Sequence, residues 1–289
     1  MSEPEKTAVI TGVSTGIGRA CAASLIEAGW RVFGSVRKEK DAAEAHAALG
    51  PKFSPLLFDV TDSQAIAGGA ATVERALDGR TLGGLVNNAG IALGGPVAHL
   101  PLDVLDRQLD VNLYGPIRVI QAFLPMLGLD SRFHGPPGRI VNMSSVAGRI
   151  ASPFMSPYAM SKHALEALSD SLRRELLMFG IDVVTIGPGA VRTPIWAKAD
   201  EIDFSPYEKT AFAPFLKRMR DGMKVFGESG VEPSAVGDLV RTALTVPNPK
   251  PRYPILKNKL MMWTLPQILP KRMVDQALAK RFGIPARRG

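Results

Sequence analysis

A chain of 289 residues, 46% hydrophobic and 21% charged, has the length and composition of a folded α/β domain, which excludes a disordered or collagen-like polymer. The net charge of +8 is concentrated in the tail: from Lys250 onward ten Lys/Arg face the single acid Asp275, a local +9 that leaves residues 1–249 at about −1. A near-neutral body argues against nucleic-acid binding, and one cysteine, Cys21, excludes an internal disulfide.

There is no run of about 18 uncharged apolar residues to form a membrane span, and the polar start (Met1-Ser-Glu-Pro-Glu-Lys6) does not read as a signal peptide. A cytoplasmic protein is expected, and no metal-ligand cluster is visible.

Residues 7–11 form a short apolar strand that runs straight into Gly12-Val-Ser14-Thr15-Gly16-Ile17-Gly18, and a helical pattern follows to Ala28, closed by Gly29. Strand, glycine turn and helix in that order form a unit suited to a dinucleotide pyrophosphate. The glycines let the backbone approach the phosphates, and the helix N-terminus offers free N–H groups and partial positive charge. A second strand, 31–36, ends at Val36-Arg37 without an acid. An acid there would bind a ribose 2′-OH, whereas Arg37 suits a 2′-phosphate, so NADP(H) is expected in preference to NAD(H).

Residues 39–49 read as a helix stopped by Gly50-Pro51, with His46 on its exposed side. A third strand, 53–58, delivers Asp59 and Val60; Asp59 reads either as an adenine contact or as a cap for the helix that starts near 61–63. After that helix, Leu85-Val86 opens a fourth strand into Asn87-Asn88-Ala89-Gly90. The alternation βαβαβαβ predicts a doubly wound parallel sheet (a Rossmann fold) with ligands beyond the strand C-termini.

Residues 101–127 read as a long helix. Asn112 inside it needs hydrogen bonds to satisfy its amide, and it reads either as a helix-opening residue that holds a relay water or as a kink satisfied locally. The apolar run 140–143 is a buried strand ending in Ser144-Ser145. A helical pattern then carries Tyr158 and Lys162, four apart and so on one face. An ammonium beside a phenol favours the phenolate and lowers the tyrosine pKa from its usual ~10, making Tyr158 a candidate general acid or base. A sixth strand, 182–186, ends in Pro188-Gly189-Ala-Val191-Arg-Thr193, where backbone and the Thr193 hydroxyl would meet a nicotinamide.

Residues 195–230, with Trp196, Phe204, Tyr207, Phe212, Phe215 and Met223, read as a helical lid over an apolar substrate cleft, or as extra core under a long loop. A helix at 233–244 and a last strand at 252–256 complete a single catalytic domain, 1–256. The basic, apolar extension 257–289 fits a membrane-surface helix, a cover for the cleft or a subunit contact.

Together these motifs closely resemble the classical short-chain dehydrogenases/reductases. The ordered set is Thr11-Gly12-x-x-x-Gly16-Ile17-Gly18, Asp59, Asn87-Asn88-Ala89-Gly90, Asn112, Ser145, Tyr158-x-x-x-Lys162 and Pro188-Gly189-x-Val191-x-Thr193. The resemblance implies hydride transfer between a nicotinamide and a carbinol or carbonyl carbon. In it Tyr158 exchanges the proton, Lys162 lowers its pKa and holds the ribose, Ser145 orients the substrate oxygen, and Asn112 positions a relay water. It also implies a homodimer or homotetramer packed through the helices at 101–127 and 157–179. The lid and tail look most like the hydroxysteroid and retinol dehydrogenase branch, hence a lipophilic small-molecule substrate such as a steroid or retinoid. The rival is a catalytically inactive NADP(H)-binding sensor or scaffold, which an incomplete catalytic set would favour; Asn112, Ser145, Tyr158 and Lys162 are all present.

Overall fold

The computed structural model describes residues 5–194 and 204–285. Seven parallel strands form one sheet in the order β3-β2-β1-β4-β5-β6-β7. They are β1 Thr7–Ile10, β2 Arg31–Val36, β3 Phe53–Leu57, β4 Gly84–Asn87, β5 Arg139–Met143, β6 Asp182–Pro188 and β7 Arg252–Ile255. Parallel strands need helical crossovers and are covered on both faces, which is why β1, β4 and β5 read as nearly unbroken apolar runs. The strand order reverses between β1 and β4, so the crevice for a ligand opens at their C-terminal ends.

One face is covered by α1 Gly16–Glu27, α2 Glu39–Leu49 and α8 Pro233–Thr245. Cys21, Ala22 and Leu25 of α1 meet Val236, Val240 and Leu244 of α8 over Ala8, Ile10 and Val86. The helices cross so closely that a Cβ on Gly237 would lie 2.6 Å from the Ala20 carbonyl oxygen. Cys21 is fully buried here and its thiol is pushed up to about 12 by desolvation, as expected for a core residue rather than a nucleophile.

The other face carries α3 Ser63–Leu77, α4 Leu102–Leu109, α5 Gly115–Phe123 and α6 Ser156–Glu175. Ile66, Val73, Val119, Phe123, Leu172 and Leu176 close over Val9, Leu85, Ile140 and Val183. The expected long helix at 101–127 is interrupted: a π-helical turn, Asp110–Tyr114, joins α4 to α5 and centres on Asn112. Asp62, rather than Asp59, caps α3, accepting from Gln64 N and Ala65 N at 2.9 and 3.0 Å. Asp59 instead closes a local turn with Thr61.

The expected lid and extension both contain helices: α7 Ala213–Glu228, a π turn Leu260–Thr264, α9 Leu265–Ile268 and α10 Lys271–Phe282. Phe204, Tyr207, Leu216 and Met219 form a small separate core, joined by Phe154, Met155, Phe212 and, from α10, Phe282. Residues 195–203, including Trp196, lie outside the described residues.

Candidate active site

The glycine turn is shaped by what its glycines leave out. Gly12 and Gly16 have φ of +73° and +61°, a region that disfavours side chains. A Cβ on Gly18 would stand 2.2 Å from the Gly12 carbonyl oxygen and 2.5 Å from Asn88 Nδ2, so only glycine fits. Thr15 occupies the N-cap of α1 in an extended conformation without a side-chain cap, and the first turn contains no acid. The first N–H groups of α1 are therefore free of a competing carboxylate, which suits an anionic pyrophosphate.

The turn is braced from three sides. Asn88 Nδ2 donates to the Thr11 and Gly12 carbonyls at 2.9 and 3.1 Å, and Thr11 Oγ1 accepts from the N–H groups of Asn88 and Ala89. Gly12 N donates to Ser35 Oγ at 3.0 Å, while Arg19 binds the Val13 and Ser14 carbonyls. Thr11 heads the glycine motif in the sequence, whereas Ser35 and Arg19 carry no mark that separates them from ordinary residues. Arg37 and Asp59 lie at the rim, 3.9 Å apart, with the guanidinium mostly exposed. Val60 turns its side chain into the core against Gly115, so only its backbone faces the rim. Ile17 packs partly buried on the α1 face of the sheet. Thr193 Cγ2 would be 3.3 Å from a Cβ on Gly16, which sets the Pro188-to-Thr193 turn against the glycine turn. These features fit a dinucleotide: a cradle that a Cβ would fill, an uncapped helix N-terminus and a rim cation.

Ser145 follows β5 and is 8% exposed; its hydroxyl accepts from Ala147 N at 3.1 Å and donates to the Pro188 carbonyl at 3.4 Å. Lys162, one turn after Tyr158 on α6, is 5% exposed, donates to the Met143 carbonyl at 2.8 Å and lies 5.8 Å from the Tyr158 ring centroid. Here the expected direction of the tyrosine shift is reversed. Burial raises the Tyr158 pKa, with a Ser145 hydrogen bond pulling the other way, and burial lowers Lys162 to about 8. Desolvation penalises both charged forms, and the ammonium is spent on a backbone carbonyl rather than on the phenol.

Asn112 is buried, and its amide is occupied locally. Nδ2 donates to Ile91 O and to Ser161 Oγ, and Oδ1 accepts from Ile91 N. Ser161 in turn donates to the Tyr158 carbonyl at 2.8 Å, so Asn112 links the Ile91 loop to the catalytic helix. Gln108, fully buried one turn earlier, does the same for Leu93 N and Ile91 O at 2.7 and 2.9 Å. Gly90 packs beneath this network, where a Cβ would lie 3.2 Å from Asn112 Oδ1. Gly189 N donates to Ile255 O, and Val191 pairs with Val231, which fixes the turn after β6. Among the described residues no three His, Cys, Asp or Glu side chains group as a metal site.

The family model for short chain dehydrogenase matches residues 6–203. An NADPH-dependent 3-dehydrocapnine reductase from Ornithobacterium rhinotracheale is 36% identical over 273 residues, covering 94% of this chain and 96% of that protein. Retinol dehydrogenase 5 of Homo sapiens is 33% identical and covers 96% of this chain and 89% of that protein. A short-chain dehydrogenase structure from Streptomyces avermitilis superposes with a TM-score of 0.75 at 27% identity, covering 96% and 95% of the two chains. The chain therefore belongs to the short-chain dehydrogenase/reductase family and is an oxidoreductase.

Proposed function

We propose that the protein is an NADPH-dependent reductase of a ketone or aldehyde on a lipophilic molecule, with Ser145, Tyr158 and Lys162 as its catalytic residues. The observation that carries this reading is the placement of Tyr158 and Lys162 one turn apart on α6, with the ammonium 5.8 Å from the phenol ring, beside Ser145 at the end of β5. A phenol, whose pKa starts at about 10, carries its proton at neutral pH. A protonated phenol is an acid, ready for the reductive direction. Bound NADPH supplies the hydride. Tyr158 gives its proton to the carbonyl oxygen as the carbon is reduced, and Ser145 holds that oxygen by a hydrogen bond. Lys162 would stabilise the phenolate left behind and anchor the cofactor ribose; Asn112, its amide held by Ile91 and Ser161, keeps the Ile91 loop against α6.

Arg37 at the end of β2, with no acid at that strand tip, supports NADP(H) over NAD(H), as does the NADPH-dependent relative. The aromatic cluster around Phe204 and Tyr207, packed on Phe154 and Met155 of the loop between Ser145 and Tyr158, supports an apolar substrate. Exposed Leu102, Tyr114 and Met160 on α4 to α6 support a homo-oligomer through that face. Exposed Leu260, Met261, Ile268 and Met273, set among the cations of the extension, support peripheral contact with an anionic membrane surface of a cytoplasmic protein.

The test is NADPH oxidation against ketosteroids, retinal and aliphatic and aromatic ketones, with NADH in parallel. Turnover confined to lipophilic carbonyls and favouring NADPH is expected. Tight NADPH binding without turnover of any carbonyl would overturn the reductase reading, and a preference for NADH would overturn the role given to Arg37.

A further inference from the structure

The extension after β7 reaches the catalytic end of the sheet. Along β6 the side chains alternate: Ile186 belongs to the α1 face and Val183 to the α6 face, so Gly187 faces α6 and the catalytic side chains. A Cβ at Gly187 would have two sets of neighbours. The backbone carbonyl oxygen of Ser145 would lie 3.6 Å away, and Cζ3 of Trp263 would lie 3.9 Å away. The glycine thus borders a slot lined by both the backbone of the catalytic serine and an indole. Trp263 sits in the π turn Leu260–Thr264, is partly exposed, and belongs to none of the three apolar clusters of the fold.

The chain is anchored on either side of Trp263 among the described residues. Before it Leu256 packs on Gly189, with its Cβ 2.7 Å from where a glycine Cβ would be. After it Phe282 enters the Phe204 and Tyr207 cluster, and the Arg281 guanidinium stacks over Phe226 of α7 at 5.4 Å. An indole held between two anchors presents a large apolar surface at low entropic cost.

We propose that Trp263 is a specificity-determining residue, forming an aromatic wall of the substrate cleft that favours bulky lipophilic carbonyls over small ones. The proposal rests on the reductase reading above. Its test compares kcat and KM of the full chain with all-trans-retinal and with cyclohexanone at saturating NADPH. Trp263→Ala raises KM for retinal about tenfold while the constants for cyclohexanone stay within about twofold, and Trp263→Phe restores most of the difference. A second variant, Gly187→Ala, keeps the fold because its nearest neighbours are at ordinary contact distance, yet its methyl narrows the slot. It is expected to raise KM for retinal selectively. Wild-type preference for retinal that survives both substitutions overturns the role of Trp263 and leaves the reductase reading standing. No turnover of either carbonyl by the wild type, with NADPH bound, overturns both.

Discussion

Asn112 and Ile91 are joined by two hydrogen bonds, amide to carbonyl and N–H to amide oxygen, both 2.9 Å long. The pair is made at a π turn, where the widened helix lets the asparagine side chain leave the helical ladder and reach another element. Asn112→Ala strands the Ile91 N–H and takes a partner from Ser161, while the Ile91 carbonyl keeps Gln108 Nε2. Unmet buried groups cost about 1–3 kcal/mol each. A fall in melting temperature and at least a tenfold loss of kcat are expected, with NADPH affinity less affected. Unchanged kcat in a folded variant would remove Asn112 from the catalytic apparatus.

Tyr158→Phe keeps the ring and deletes the proton. Turnover is expected to fall by about 10³-fold or more, within reach of what general acid catalysis contributes, while NADPH still binds. Fluorescence titration with NADPH beside steady-state rates separates the two. Near-normal turnover would place the proton donor elsewhere.

Much of this was legible in sequence, because it rests on local chemistry. The glycine turn, the strand ends and the helix stop at Gly50, with its φ of +79°, are each written within a few residues. What depends on packing was not. Tyr158 and Lys162 are correctly spaced, but the direction of their shifts follows from burial that spacing does not encode. Gln108 looks like any polar residue on an amphipathic helix, since its partners, Ile91 and Leu93, lie 17 and 15 residues earlier in a loop that no helical spacing connects to it. Asp59 reads as a plausible cap, but α3 starts at Ser63, so Asp62, extended just before it, takes the capping position. The segment around α7 has no sheet to impose a period; its apolar partners are Phe154 and Phe282, one on either side of it in the chain.

Gly18→Ala tests the cradle. A methyl placed 2.2 Å from the Gly12 carbonyl oxygen must displace either the turn or Asn88, and that turn is the proposed pyrophosphate site. A loss of NADPH affinity of at least tenfold is expected by titration calorimetry, with the isolated fold retained by circular dichroism. Wild-type affinity would show that the turn can relax without cost.

Lys162 makes cofactor-free stability depend on pH. Burial holds its pKa at about 8 against an ordinary 10.5. Between these values the unfolded chain carries a proton that the native chain has released, so stability rises with pH across that window, and the penalty is complete below about 8. At about 1.4 kcal/mol per pH unit the effect amounts to about 3 kcal/mol. Tyr158 acts in the opposite sense above pH 10, where the native phenol holds its proton longer than the unfolded one. Lys162→Met is expected to flatten the rise between pH 8 and 10.5 and to increase stability at pH 7, as read from urea midpoints. An unchanged rise would assign it to other groups.

Glu166 stands one turn beyond Lys162 on α6 and is 4% exposed. Its Oε2 takes the Arg252 guanidinium from β7 and lies 3.7 Å from Arg149 in the turn after Ser145, while Oε1 has no hydrogen-bond partner among the described residues. One carboxylate thus ties the catalytic helix, the serine turn and the last strand, with two cations for one anion. Burial, and then the like charge of Arg149, push Arg252 down to about 10. Removing the anion alone leaves two guanidinium groups facing each other. Glu166→Gln is therefore expected to destabilise, by less than the roughly 3–5 kcal/mol of a fully buried pair because both guanidinium groups are partly exposed to solvent. Replacing both partners, Glu166→Met with Arg252→Met, removes the uncompensated charge and should cost less than the two single Met changes added together. Urea unfolding of the four proteins in that cycle gives the coupling. Additivity within about 0.5 kcal/mol would mean that Glu166 and Arg252 act independently, and that the strand is held to the helix by packing alone.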